Sequence, residues 1–427
     1  MLYHLHELQR ALSAPATEWA RVSARMFAGP EGWLSRLPGA ADVAAGWELL
    51  YRLGKRYDKP AFGLTEVVAH GVRVSVAEET ALERPFCKLQ RFTRKTDRKD
   101  VLARLEGDSP VLVVAPLSGH HATLLRETVA SLLADHTVYV TDWTDARLVP
   151  VGEGRFGLND YVAYVRAFIS HLAHIGHERL NVLAVCQPAV PVLAAVALDA
   201  AAGGPQAASL VLMGGPIDTR ESPTQVNRLA TTRPLSWFET NLVHRVPSHY
   251  PGRGRRVYPG FLQHAAFVSM NPDRHMGSHV NFFKDVAQGN LEYAEAHRRF
   301  YDDYNAVLDL DAEYYLDCIR VVFQQHLLPR GLWDVAGQRV EPAAIRRTAL
   351  MTVEGEHDDI SGLGQTRAAH TLCTNLPEAR KRHLTVIGAG HYGIFSGRRW
   401  RDIVYPEVRD FFSDAEGASR RPRLLSA

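Results

Sequence analysis

The feature that most constrains the fold is an alternation of short apolar runs with amphipathic helical segments, which begins near residue 100. Such alternation is typical of βαβ units, which build a parallel sheet covered by helices on both faces. The sequence therefore predicts an α/β fold with a mostly parallel, doubly wound sheet. The predicted strands are 111–115, 138–140, 180–185, 209–213, 348–353 and 384–387.

One long segment interrupts this alternation, and it exceeds the length of an ordinary crossover connection. We predict an inserted cap at 216–345, which divides the core into 101–215 and 346–414. Residues 1–100 are expected to form a helical arm followed by leading strands. Residues 415–427 are expected to be a flexible tail.

The helical arm is amphipathic at its start, where Leu2, Leu5, Leu8 and Leu12 recur at helical spacing. Such a helix either packs against its own domain or lies on an external hydrophobic surface. The sequence leaves both interpretations open.

Composition excludes several classes of protein. With 49 basic and 47 acidic residues among 427, the formal net charge is +2, which argues against broad binding of nucleic acid. The four cysteines lie far apart without a CxxC pair, which argues against a structural zinc site or a disulfide scaffold and favours a reducing compartment. The first ten residues lack a signal-peptide pattern, and no apolar run reaches the roughly 18 residues of a membrane span. A folded cytoplasmic protein is expected.

Three residues capable of chemistry follow predicted strands, where functional groups collect in open parallel sheets. Cys186 follows 180–185 and precedes a helix, Asp358 follows 348–353, and His391 follows 384–387. The order nucleophile, acid, histidine is that of α/β-hydrolases, whose nucleophile sits on a sharp strand-to-helix turn. We therefore predict an α/β-hydrolase fold with an inserted cap and an N-terminal helical extension, and a catalytic triad of these three residues.

Several assignments around this triad stay open. Asp359 competes with Asp358 for the role of the acid, although the spacing from Gly355 favours Asp358. The backbone N–H of Gln187 is one expected oxyanion donor, and Ser118 or Gly119 is expected to supply the other. No metal is predicted, because adjacent histidines such as those at 120–121 point apart and no HExxH pattern accompanies them. No cofactor is predicted either, since no glycine-rich nucleotide motif follows a strand.

The chain resembles the intracellular poly(3-hydroxybutyrate) depolymerases of bacterial storage granules. The segments that carry the resemblance are the opening Met-Leu-Tyr, 113–120, 185–188, 213–218, 354–365 and 390–393. The resemblance implies a cysteine nucleophile at Cys186, with Asp358 and His391 as acid and base. It also implies a cytoplasmic enzyme on granules of hydrophobic polyester, with granule-coat proteins as further partners.

The cap is expected to line an acyl groove with aromatic side chains. The residues proposed to bind substrate are Trp237, Phe238, Tyr258, Phe261 and Tyr392. Three alternatives to the depolymerase remain. They are a polyester synthase, which is expected to keep glycines where this chain has Ala184 and Pro188, a CoA-dependent thiolytic acyltransferase, and a non-catalytic granule-coat protein.

Overall fold

A mixed sheet of nine strands lies at the centre of the protein, which a computed structural model describes over residues 2–29 and 32–420. The strands, in chain order, are β1 (Glu66–Ala69), β2 (Val72–Arg84), β3 (Cys87–Lys95), β4 (Pro110–Val114), β5 (Thr137–Trp143), β6 (Asn181–Val185), β7 (Ser209–Met213), β8 (His244–Arg245), β9 (Arg256–Tyr258), β10 (Leu310–Asp311), β11 (Asp334–Val335), β12 (Gln338–Arg339), β13 (Ala349–Gly355) and β14 (Lys381–Val386).

The order of the central sheet is β1-β2-β3-β5-β4-β6-β7-β13-β14. The strands from β5 to β14 in this order are parallel, whereas β1, β2 and β3 pair antiparallel with one another and β3 pairs antiparallel with β5. Strands β4, β6 and β7 are buried along their whole length, which explains why their sequences are apolar apart from the first residues of β6 and β7. The predicted mostly parallel α/β sheet is confirmed.

Helices cover both faces of this sheet and flank it with two apolar clusters. Phe168 and Leu193 belong to one cluster, and Trp400 and Phe412 belong to the other. The helices are α1 (Leu2–Ala28), α2 (Ala40–Gly54), α3 (Lys99–Gly107), α4 (Arg126–Leu132), α5 (Leu158–His174), α6 (Ala189–Ala202), α7 (Gln225–Thr232), α8 (Leu235–Leu242), α9 (Gly260–Met270), α10 (Pro272–Gln288), α11 (Leu291–Asn305), α12 (Ala312–Asp317), α13 (Ala369–Leu372), α14 (Gly397–Arg399) and α15 (Tyr405–Arg420). None of the helices in the described part of the chain is long and apolar enough to cross a membrane.

The segment between β7 and β13 is the inserted cap. It contains α7 to α12, a small sheet of order β10-β9-β8 and the hairpin β11–β12. A π-helical stretch, Cys318–Gln324, continues α12. Because the sheet resumes with β13 directly beside β7, the cap is an insertion that leaves the sheet continuous.

The N-terminal arm is a pair of helices, α1 and α2, that packs against the cap. The Tyr3 hydroxyl donates a hydrogen bond of 2.6 Å to the buried carboxylate of Asp309, which anchors the start of α1. The opposite face of α1 is open, since Leu8 and Leu12 are 57% and 73% exposed. At the other end of the chain, α15 runs past the boundary expected at residue 414. The rest of the predicted tail, residues 421–427, lies outside the described residues.

Candidate active site

The turn between β6 and α6 presents Cys186 at the carboxyl edge of the sheet. Cys186 has a backbone φ of +70°, a conformation that is unfavourable for a residue with a Cβ and that concentrates at functional sites. Its N–H donates to the carbonyl of Met213 at 2.7 Å, which ties the turn to the neighbouring strand. Pro188 immediately precedes the first residue of α6, where its missing N–H costs no helical hydrogen bond. The sharp turn is therefore intact, although Ala184 and Pro188 stand where the nucleophile turn of α/β-hydrolases usually has glycines.

A pair of glycines after β7 allows this turn to approach the adjacent strand closely. A Cβ on Gly215 would overlap the Cβ of Ala189 and would lie 2.9 Å from the carbonyl oxygen of Cys186. Gly214 has a φ of +55°, and a Cβ there would lie 3.1 Å from the ring of His391. Both positions therefore require the smallest residue. In the sequence, this dipeptide stands out only as part of the segment 213–218 that carries the family resemblance.

Asp358 and His391 meet above the ends of β13 and β14. His391 Nδ1 lies 2.7 Å from Asp358 Oδ2, and both side chains are buried. The other carboxylate oxygen of Asp358 accepts hydrogen bonds from the backbone N–H groups of Ile360 and Ser361, at 2.9 and 2.8 Å. These bonds fix the carboxylate in an orientation that holds the imidazole. Asp359 instead points to the side-chain amide of Asn271 and is exposed.

The electrostatic environment of His391 favours its protonated form. Burial lowers the pKa of the ring, but the charge of Asp358, the Cys186 sulfur and hydrogen bonds to both together raise the pKa well above 6.5. The same contacts place the imidazole between the thiol and the carboxylate. An imidazole in this position can take the proton of a thiol and later return it to a leaving group.

Of the expected oxyanion donors, Gln187 and Ser118 line the cavity beside Cys186, whereas Gly119 does not. The N–H groups of Gln187, Leu117 and Ser118 find no hydrogen-bond acceptor among the described residues, so they are free to bind a ligand oxygen. All three residues line the cavity beside Cys186. Gly119 does not line it, because its carbonyl accepts from the N–H of Leu308 and its Cα faces Gln263. Leu117 is a donor candidate that sequence reasoning missed.

A cavity of about 650 Å³ opens beside Cys186 and His391, and its walls are predominantly apolar. Four of the five residues proposed to bind substrate lie in these walls: Trp237, Phe238, Tyr258 and Tyr392. The expectation for Phe261 is corrected. Its ring stacks on His6 of the arm at 3.9 Å and meets Tyr3 edge-on, because it lies on the face of α9 that packs against α1.

Part of the cavity wall comes from α12 and the π-helical stretch after it. This part comprises Tyr314, Tyr315, Cys318, Ile319 and Phe323. Sequence reasoning missed these residues for two reasons. An apolar helical run usually packs in the protein core and does not line a cavity, and no residue in this run identifies it as π-helical. The part of the chain that the structure describes contains no cluster of three or more histidine, cysteine or acidic side chains arranged to hold a metal ion.

Residues 214–416 match the family described as "PHB de-polymerase C-terminus". No curated protein matched the chain significantly in sequence.

Solved structures of similar fold include two bacterial hydrolases. One is 2-hydroxy-6-oxo-6-phenylhexa-2,4-dienoate hydrolase from Rhodococcus sp. strain RHA1, with 12% identity, a TM-score of 0.41, and coverage of 80% of this chain and 99% of that one. The other is a thermophilic esterase from Thermogutta terrifontis, with 13% identity, a TM-score of 0.39, and coverage of 82% and 97%. The strand order of the central sheet is that of the α/β-hydrolase fold. Within this fold, residues 214–416, a little less than half of the chain, are similar to the family of PHB de-polymerase C-terminal regions.

Proposed function

We propose that the protein is an intracellular depolymerase that hydrolyses poly(3-hydroxybutyrate) of storage granules through a cysteine acyl-enzyme. The observation that carries this proposal is the position of Cys186, on a strained turn beside the buried His391–Asp358 pair and at the floor of a large apolar cavity. The match of residues 214–416 to the depolymerase family supports the choice of polymer.

Acylation begins when His391 takes the proton of the Cys186 thiol and the sulfur attacks an ester carbonyl of the polymer. The carbonyl oxygen becomes an oxyanion, which the N–H of Gln187 and an N–H of Leu117 or Ser118 stabilise. The carbon–oxygen bond of the ester then breaks, and His391 gives its proton to the departing alkoxide. Asp358 keeps the ring oriented and stabilises its positive charge between these two transfers.

Deacylation repeats these chemical steps with water as the nucleophile. His391 removes a proton from a water molecule, the oxygen attacks the thioester carbonyl, and the proton returns to the sulfur as the carbon–sulfur bond breaks. The products are a carboxylic acid and the free thiol of Cys186. No group besides the triad, the oxyanion donors and water is needed to balance these steps.

The shape and chemistry of the cavity suit a polyester chain. Its volume is within the range of small-molecule sites, and its apolar walls match a polymer whose polar groups are almost entirely ester oxygens. The exposed leucines of α1 suit a granule surface in the same way, because burying them against polymer would remove apolar area from water. The cytoplasmic granule is therefore the proposed location.

The test is incubation of the purified protein with amorphous poly(3-hydroxybutyrate) granules, with and without CoA, followed by mass spectrometry of the products. We expect 3-hydroxybutyrate and its oligomers to appear without CoA. Cys186→Ala should lower this activity by at least about a thousandfold. Cys373→Ala, at a buried cysteine outside the cavity wall, is the matched control and should retain it.

The remaining outcomes separate the alternatives. CoA esters formed only in the presence of CoA would identify a thiolytic acyltransferase. A wild-type protein that releases no product under either condition would contradict the depolymerase and favour a synthase or a granule-coat protein.

A further inference from the structure

A second cavity adjoins the catalytic cavity. It has a volume of about 280 Å³ and is bordered by α9, α10 and α11 of the cap. Four of its residues also line the catalytic cavity: Phe267, Met270, Ile360 and Tyr392. Each of the four is only half-buried, so the boundary between the two cavities has accessible surface across which a bound chain can lie.

The second cavity contains a positive charge without a partner. Arg274 of α10 is the only arginine or lysine among the described residues that line it. Its side chain is exposed and forms no ion pair or hydrogen bond with another described residue. Burial raises the pKa of Tyr304 and Tyr392 in the cavity wall, and the charge of Arg274 opposes that rise. The guanidinium is therefore free to bind a carboxylate, whose geometry its planar fork matches.

The other charged or titratable groups of this cavity do not take over that role. The carboxylate of Asp359 accepts a hydrogen bond from the side-chain amide of Asn271 and forms no ion pair with Arg274. Burial and the charge of Arg274 lower the pKa of His275, so its ring is neutral at physiological pH. Arg274 is thus the group that attracts an anion to this cavity.

The position of the cavity relative to the triad determines which half of a substrate reaches it. Tyr392 directly follows His391, and both line the catalytic cavity. Ile360 lies two residues after Asp358. The second cavity is therefore on the imidazole side of Cys186, where His391 gives its proton to the departing alkoxide. In a polyester of 3-hydroxyacids, that alkoxide belongs to the part of the chain that runs toward the free carboxylate.

We propose that Arg274 binds the terminal carboxylate of a polyester chain whose ester bond lies at Cys186, so that the protein releases short units from the carboxyl end. This inference rests on the proposed function and changes none of its catalytic steps. The terminal carboxylate is the only anion of such a chain. The cavity volume of about 280 Å³ lies just below the usual range of ligand sites, about 300–1,000 Å³, and suits a short chain end.

The experiment compares kcat/KM for the linear trimer of 3-hydroxybutyrate and for its terminal primary amide, which has a similar shape but no charge. Mass spectrometry measures the terminal unit that each substrate releases. The wild-type protein should prefer the acid. Arg274→Gln removes the charge, so the ratio of kcat/KM for acid over amide should fall roughly three- to tenfold, a loss limited by the exposure of the arginine. Arg274→Lys keeps the charge and should recover part of the ratio.

Arg299→Gln is the matched control, since Arg299 is an exposed arginine of α11 that lines neither cavity. It should leave the ratio at its wild-type value. A wild-type protein without preference for the acid, or an unchanged ratio in Arg274→Gln, overturns the inference. Hydrolysis of p-nitrophenyl butyrate by the same wild-type protein then leaves the hydrolase proposal in place. A wild-type protein that hydrolyses none of the three substrates overturns both proposals.

Discussion

At the scale of single residues, substitutions at the neighbouring carboxylates Asp358 and Asp359 test which of them is the catalytic acid. Asp358 bonds to His391, whereas Asp359 points away to Asn271. Asp358→Asn should lower kcat on p-nitrophenyl butyrate by about a thousandfold or more, since it removes the charge that orients and stabilises the imidazolium. Asp359→Asn should change kcat less than about threefold, as expected for an exposed group outside the triad. The reverse ranking would show that Asp359 is the acid.

The close approach of Gly215 to α6 leads to a second prediction about a single residue. Gly215→Ala should destabilise the protein by about 1–3 kcal/mol through overpacking against Ala189, and should lower activity by shifting the turn that carries Cys186. Urea unfolding and ester hydrolysis measure the two effects. The double variant Gly215→Ala/Ala189→Gly frees the overlapping volume and should recover part of the lost stability. A single variant as stable and active as the wild type would refute the packing argument.

The positions of Cys186, Asp358 and His391 could be predicted because each residue follows a recognisable apolar run, at 180–185, 348–353 and 384–387. The sequence could not show which face of α9 meets the cavity, because a tertiary partner decides that. Phe261 faces α1, while its neighbour Leu262 faces the cavity. Leu117 was missed for a related reason, since its free backbone N–H carries no side-chain signature.

At the scale of elements, the open face of α1 predicts a role in surface binding. Leu8→Glu/Leu12→Glu should reduce co-sedimentation with amorphous polymer granules several-fold. Both leucine side chains are exposed in the free protein, and their apolar area stabilises binding when a granule surface buries it. Hydrolysis of a short soluble ester should be unaffected. Ile175→Glu, at an exposed apolar residue just after α5, controls for charge alone. Substitution is preferable to deletion, since deletion would also remove the anchor at Tyr3.

The strands of the core were predicted closely, because parallel strands buried on both faces have continuous apolar runs. The predicted strand at 209–213 coincides with β7, whereas 384–387 covers only the second half of β14. The first half, beginning Lys381-Arg382, is polar and lies at the edge of the sheet, so its sequence carries no strand signal. The internal structure of the cap was not predictable, because its short strands and π-helical stretch depend on contacts with the core.

At the scale of the whole molecule, buried histidines make stability depend on pH. The pKa of His120 is lowered to about 3 in the folded chain, whereas an unfolded histidine titrates near 6.5. Between these values the unfolded chain binds a proton that the folded chain does not, so acid favours unfolding. Between pH 7 and pH 5, His120→Phe should therefore lose about 1–2 kcal/mol less stability than the wild type, as measured by urea unfolding. Parallel losses in the two proteins would show that His120 does not titrate in this way.

The order of the triad along the chain has a consequence for synthesis on the ribosome. The nucleophile is complete once β6 and α6 have emerged, but the acid and the base follow the cap, on strands added at the far edge of the sheet. His391 is added 205 residues after Cys186. A nascent chain therefore carries the cysteine without its proposed base until the whole cap and β14 have been synthesised. If Cys186 acts with His391 as proposed, such a partial chain lacks the base that activates its thiol.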